Sequence, residues 1–186
     1  MRAKFAAAAA VVGVAGFTGA AIAGGHGRDF ETDMTGFEEV PAVSTTGGGQ
    51  VNAAVNRAGT EIRYTLRYDH LEGNVLQSHI HFGQEGVNGG IVVFLCTNLG
   101  NGPAGRDVPA CPPPPATVTG VLTADDVATA TPASDGAVAQ GIGPREFDEF
   151  VRAMRAGVTY ANVHSSRWPG GEIRGQFDRE GHGQDD

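Results

Sequence analysis

The sequence predicts a mostly β fold, an antiparallel Greek-key sandwich or barrel with one short amphipathic helix. Three observations carry this. Short runs alternate apolar and polar residues at period two. Turn residues punctuate them, with Gly 29 and Pro 10 among 186 residues. A single segment carries helical spacing.

Residues 30–37 read as a weak first strand, ending in the loop Glu38-Glu39-Val40-Pro41. In residues 50–56, Val51, Ala53 and Val55 share one face. After the turn Arg57-Ala58-Gly59-Thr60, residues 61–69 place Ile62, Tyr64, Leu66 and Tyr68 on one face, so the two runs form a hairpin. Strands are expected at 77–82, at the apolar run 91–96, and at 116–122 after a Gly/Pro-rich excursion. Pro144 stands where a first helical residue belongs. Phe147, Phe150, Val151 and Met154 then fall at i, i+3, i+4 and i+7, and Gly157 supplies the stop. Strands return at 158–165 and 171–177. On these phases Ile62, Tyr64, Leu66, Ile80, Val92, Phe94, Val163 and Ile173 belong in the core, and Phe147 and Met154 seat the helix on a sheet.

The ends read differently. Arg2 and Lys4 precede an uncharged Ala/Gly/Val run, and Ala21-Ile22-Ala23 is a small-x-small cleavage site, so residues 1–23 form a signal peptide. Residues 24–29 are a flexible leader, 30–177 the domain, and 178–186 a polar, disordered tail. Cleavage after Ala23 would expose Gly24-Gly25-His26, a terminal nitrogen set suited to square-planar Cu(II) or Ni(II). This organisation implies a secreted protein, extracellular or in the cell envelope, with no membrane span after cleavage. The formal charge is −8, and Lys4 is the only lysine. An acidic chain without basic runs excludes nucleic acid as a partner. Cys96 and Cys111 are the two cysteines, and export makes a disulfide between them the expectation.

Three stretches carry a family resemblance. They are Glu39-Val40-Pro41, then His79-Ile80-His81-Phe82-Gly83, and then Tyr160-Ala161-Asn162-Val163-His164 with Trp168-Pro169-Gly170-Gly171-Glu172-Ile173-Arg174-Gly175-Gln176. Together, over about residues 30–177, they resemble the chordin-domain (CHRD) family as a stand-alone secreted member. The resemblance implies an extracellular β-sandwich or barrel module. In animal chordin such modules belong to a protein that binds growth factors. For a single-domain chain the resemblance implies a fold more than a partner.

Alternation gives these motifs a chemical reading. On a strand His79 and His81 project together, and Asn162 shares a face with His164. Glu172, Arg174 and Gln176 share another. If the three strands are neighbours, His79, His81 and His164 converge. Asn162 or Glu172 would then accept an imidazole proton, and Arg174 would pair with Glu172 or attract an anion. An H-x-H strand with a third histidine resembles the copper side of the Cu/Zn superoxide dismutases, which are Greek-key sandwiches too. Three imidazoles suit Cu or Zn. His70 joins them only if its loop folds back.

Other features point to no chemistry. Gly47-Gly48-Gly49 precedes no helix and is no phosphate loop. Glu38 and Glu39 are adjacent, face opposite ways, and make a poor acid/base pair. No serine lies in a nucleophile-elbow context. Two function classes follow. One is a non-enzymatic module that binds an extracellular protein or matrix component, or plays a structural part. The other is a secreted metal-binding protein, copper first and zinc second, with a copper oxidoreductase as its catalytic extension. Whether the three imidazoles meet at one point discriminates them.

Overall fold

The computed structural model of the chain describes residues 28–128 and 135–178. The expected signal peptide, His26 and tail residues 179–186 lie outside the described residues.

Eight strands form one sheet: β1 Asp29–Thr35, β2 Gly48–Val55, β3 Ile62–Asp69, β4 Val75–Phe82, β5 Gly90–Thr97, β6 Ala116–Leu122, β7 Thr159–Ser165 and β8 Ile173–Gln176. Their order is β5-β4-β7-β8-β1-β2-β3-β6, every pairing is antiparallel, and the sheet curls into a nearly closed barrel. The expected hairpin is β2–β3, with Val51 opposite Leu66 and Ala53 opposite Tyr64. The period-two phase holds because one face of each strand must leave water: Val51, Ile62, Leu66, Ile80, Ala161, Val163, Ile173 and Phe177 all join one apolar core. All ten residues expected to be covered are buried.

The barrel is not closed by a ladder between its end strands β5 and β6. Other groups bridge that seam. Tyr64 Oη donates to Leu95 O at 2.6 Å, Ala128 N to Val92 O at 2.8 Å, and Thr97 N to Pro109 O at 2.9 Å. Cys96 of β5 is bonded to Cys111, fastening the excursion that leads into β6. A cross-link 15 residues apart restricts the unfolded chain by about 3 kcal/mol. Exported protein, denatured without reductant, is therefore expected to show no free thiol. The double variant Cys96→Ala, Cys111→Ala is expected to lose about 3 kcal/mol in urea unfolding. Two free thiols in the parent protein would refute the pairing.

Two helices pack on the barrel, α1 Asp135–Ala139 and α2 Phe147–Arg155. The sequence predicts only the second. α1 is too short for a periodic signal, and it is held by contact: a Cβ on Gly90 would lie 1.9 Å from Ala137 N. α2 buries Phe147, Phe150, Val151 and Met154, as its spacing requires. It begins later than Pro144 suggests, because Arg145 takes a left-handed φ of 68 and breaks the turn before Glu146. Among the described residues no helix is long and apolar enough to cross a membrane.

Candidate metal centre

The barrel core takes only one face of β4, β7 and β8. Their other face is polar, and it too is buried. Loops cover it: the turn and loop after β1, the loop 83–89, and the loop 166–172. Asn88 ties two of these together, its Nδ2 donating to Val40 O at 2.9 Å. The side chains under this cover are the ones the sequence motifs bring forward.

Register explains their meeting. Antiparallel pairing sets His79 opposite Asn162, His81 opposite Tyr160, and Asn162 opposite Arg174. Directly opposed residues stand close enough for side-chain contact. The imidazoles of His79, His81 and His164 converge, with one ring nitrogen from each inside a common span of 4.8 Å. Ring centroids lie 5.4 Å apart for His79 and His81, 5.1 Å for His79 and His164, and 6.5 Å for His81 and His164.

Hydrogen bonds fix two of the three tautomers. His81 Nδ1 lies 2.9 Å from Gly89 O, and His164 Nδ1 lies 2.9 Å from Pro169 O. A carbonyl only accepts, so each Nδ1 carries the proton and each Nε2 presents a lone pair. His164 Nε2 is buried with no hydrogen-bond partner among the described residues. His81 Nε2 lies 3.1 Å from the Oδ1 position of Asn162. Rotating that amide by a half-turn exchanges O for NH2 and gives the lone pair a donor. His79 is the extreme case. It is 0% exposed, and neither ring nitrogen has a partner among the described residues. Its one ring neighbour besides the histidines is Phe94, edge-on at 4.5 Å.

Burial keeps all three rings neutral. His79 is pushed well below the usual imidazole value by desolvation first, then by His81 and His164. His81 falls to about 4, chiefly through desolvation, with the bond to Gly89 opposing. His164 is lowered by desolvation against the pull of Pro169. Neutral imidazoles with inward lone pairs are what a metal requires.

The flanking residues occupy definite places. Arg174, 1% exposed, donates to Asn88 Oδ1 at 3.2 Å, Gln84 O at 3.3 Å and Val87 O at 2.9 Å. Its guanidinium lies 3.4 Å from the Tyr160 ring centroid, and Tyr160 in turn stacks on His81 at 4.6 Å. Glu172 is buried, but its Oε1 accepts from Thr45 Oγ1 and Glu72 N, both at 2.7 Å, and Arg174 is engaged elsewhere. Of the two acceptors expected from sequence, Asn162 touches a histidine; the tautomers are set by backbone carbonyls. His70 stays on the surface beside Asp69, at 3.3 Å.

Glu39 is the residue that the sequence reading passes over. It lies under the same cover, buried, with Oε1 lacking a partner among the described residues. Desolvation raises it to about 7, against the field of Arg174 and a backbone hydrogen bond from Val40. Gly171, at φ 132, makes room for it: a Cβ there would sit 2.2 Å from Glu39 Oε1. Its place in the Glu39-Val40-Pro41 motif was the available signal.

The family profile described as CHRD domain matches residues 30–177, which takes in every residue of this centre. No curated protein and no solved structure matches the chain.

Proposed function

The chain belongs to the CHRD-domain family, and we propose that it is a secreted, extracellular metal-binding domain that holds one copper or zinc ion through His79, His81 and His164. A single observation carries the reading: three converging imidazoles are buried, and the nitrogens of His79 and Nε2 of His164 have no other partner among the described residues. A framework histidine is buried because its hydrogen bonds are made. His79 makes none, and that costs stability unless something else takes its lone pair. At a metal–nitrogen length of about 2.05 Å, tetrahedral ligands stand roughly 3.3 Å apart. The ligand atoms already lie within 4.8 Å of one another, and small side-chain rotations, freest in His79, which has no hydrogen-bond partner among the described residues, would tighten the set. Extracellular placement is supported by the family and by the Cys96–Cys111 bond.

The test is metal titration of the full chain carrying His26→Ala, which removes the alternative terminal site. About one equivalent of Cu(II) or Zn(II) is expected, and His164→Ala is expected to lose it while unfolding cooperatively. Absence of uptake by the parent would overturn the proposal. The protein would then be a binding module whose partner is an extracellular protein or matrix component, with these histidines as framework.

A further inference from the structure

Three neutral imidazoles bring no negative charge to a bound cation. Any ion held there stays uncompensated unless a nearby group supplies the balance, and uncompensated charge away from water is costly. Arg174 worsens the deficit, since its guanidinium acts on His81 through space.

Glu39 has the complementary deficit. The residue is 6% exposed, and Oε1 has no partner among the described residues. Arg174 faces it electrostatically, but the guanidinium spends its hydrogen bonds on Asn88, Gln84 and Val87. Glu39 is wedged over Gly171, where only a glycine leaves space. Such a placement is expensive for a group with framework duties alone. Asn162 stands between the two deficits: its side chain lies 3.1 Å from His81 Nε2, and its amide also acts on the Glu39 carboxyl.

We infer that Glu39 is the counter-charge and positioning residue of the histidine centre, acting through Asn162. This rests on the metal-binding reading above. When His81 Nε2 becomes a ligand, its contact with Asn162 is given up. The amide is then free to direct its NH2 to the Glu39 carboxylate, which balances the cation without touching it. Residues that hold a ligand's partner in this way change metal affinity by about 10–100-fold when altered.

The experiment compares the full chain with Glu39→Gln, Glu39→Asp and Glu38→Gln, all carrying His26→Ala, by calorimetric titration with Cu(II) and with Zn(II). Glu39→Gln keeps the shape and removes the charge. It is expected to lower affinity by about 10–100-fold at unchanged stoichiometry, while the metal-free melting temperature holds or rises. Glu39→Asp keeps the charge and is expected to retain more affinity than Glu39→Gln. Glu38→Gln, an exposed neighbour, is expected to match the parent. Parental affinity in Glu39→Gln would overturn the inference and leave the metal site standing. So would a Glu39→Gln protein that fails to fold or loses stability without metal, because the carboxyl would then be framework. A parent protein that takes no metal removes both readings.

Discussion

Replacing His79 with leucine is expected to abolish metal uptake and at the same time stabilise the metal-free protein. The two effects have one cause. His79 is wholly buried, with both ring nitrogens unpartnered among the described residues. Leaving a buried donor or acceptor unsatisfied costs about 1–3 kcal/mol. Leucine removes that cost. It forfeits the edge contact with Phe94, an aromatic pair of a kind worth about 0.5–1.5 kcal/mol. The net expectation is a gain of about 1 kcal/mol in urea unfolding, with uptake falling from about one equivalent to none. A structural histidine predicts the opposite sign. A clear loss of stability in His79→Leu would count against the centre.

The three buried histidines are expected to cost the metal-free protein stability as pH falls from about 6.5 toward 4, a loss that Glu39 partly offsets. The histidine values are depressed in the fold. Between the unfolded value and the folded one, the unfolded chain binds more protons and is favoured. For His81, from 6.5 to about 4, this is worth about 3 kcal/mol by linkage. His79 and His164 shift in the same direction and add to it. Glu39 has the opposite sign. Raised from 4.5 to about 7, it contributes fully below 4.5 and loses that contribution as pH rises through 7. The two windows overlap between about 4.5 and 6.5 with opposite signs, so Glu39→Gln should remove the opposing slope and steepen the loss of stability toward acid pH. Urea denaturation from pH 4 to 8 measures both. A Glu39→Gln profile that is flat between 6.5 and 4.5 would show that the rings are not buried as described.

The meeting of the three histidines was legible in the sequence because strand periodicity is a geometric rule. His79 and His81 share a face at spacing two, and β7 lies beside β4, so His164 joins them. Partner choice was less legible. Alternation puts Glu172 and Arg174 on one face, but Glu172 precedes β8 and follows Gly171 at its left-handed φ, so its carboxyl turns to Thr45 and Glu72. Arg174, inside β8, is in register with Asn162 and stays with the centre. The burial of Glu39 beside the histidines was less legible than its motif, for a related reason. The argument that adjacent residues face opposite ways holds here, since Glu38 is exposed and Glu39 buried. What lies beneath a loop, however, depends on where the loop is folded, and no local period reports that. The seam contacts and α1 escaped in the same way, being set by tertiary contact alone.

The strand order carries a consequence for time. β1 and β8 are neighbours, with Thr35 opposite Arg174, so the first strand and the last meet at the middle of the sheet and join its two halves. A chain emerging from synthesis or export presents His79 and His81 long before His164 and Arg174 exist, and Glu39 has no cover until β8 arrives. Folds governed by such distant pairings form slowly, in about milliseconds to seconds. The centre described here cannot nucleate that process, since His164 lies on β7 and Arg174 on β8, the last two strands in the chain. On the proposed reading, metal entry is a late event of maturation, and an ion held by all three imidazoles marks a chain in which β7 has docked on β4.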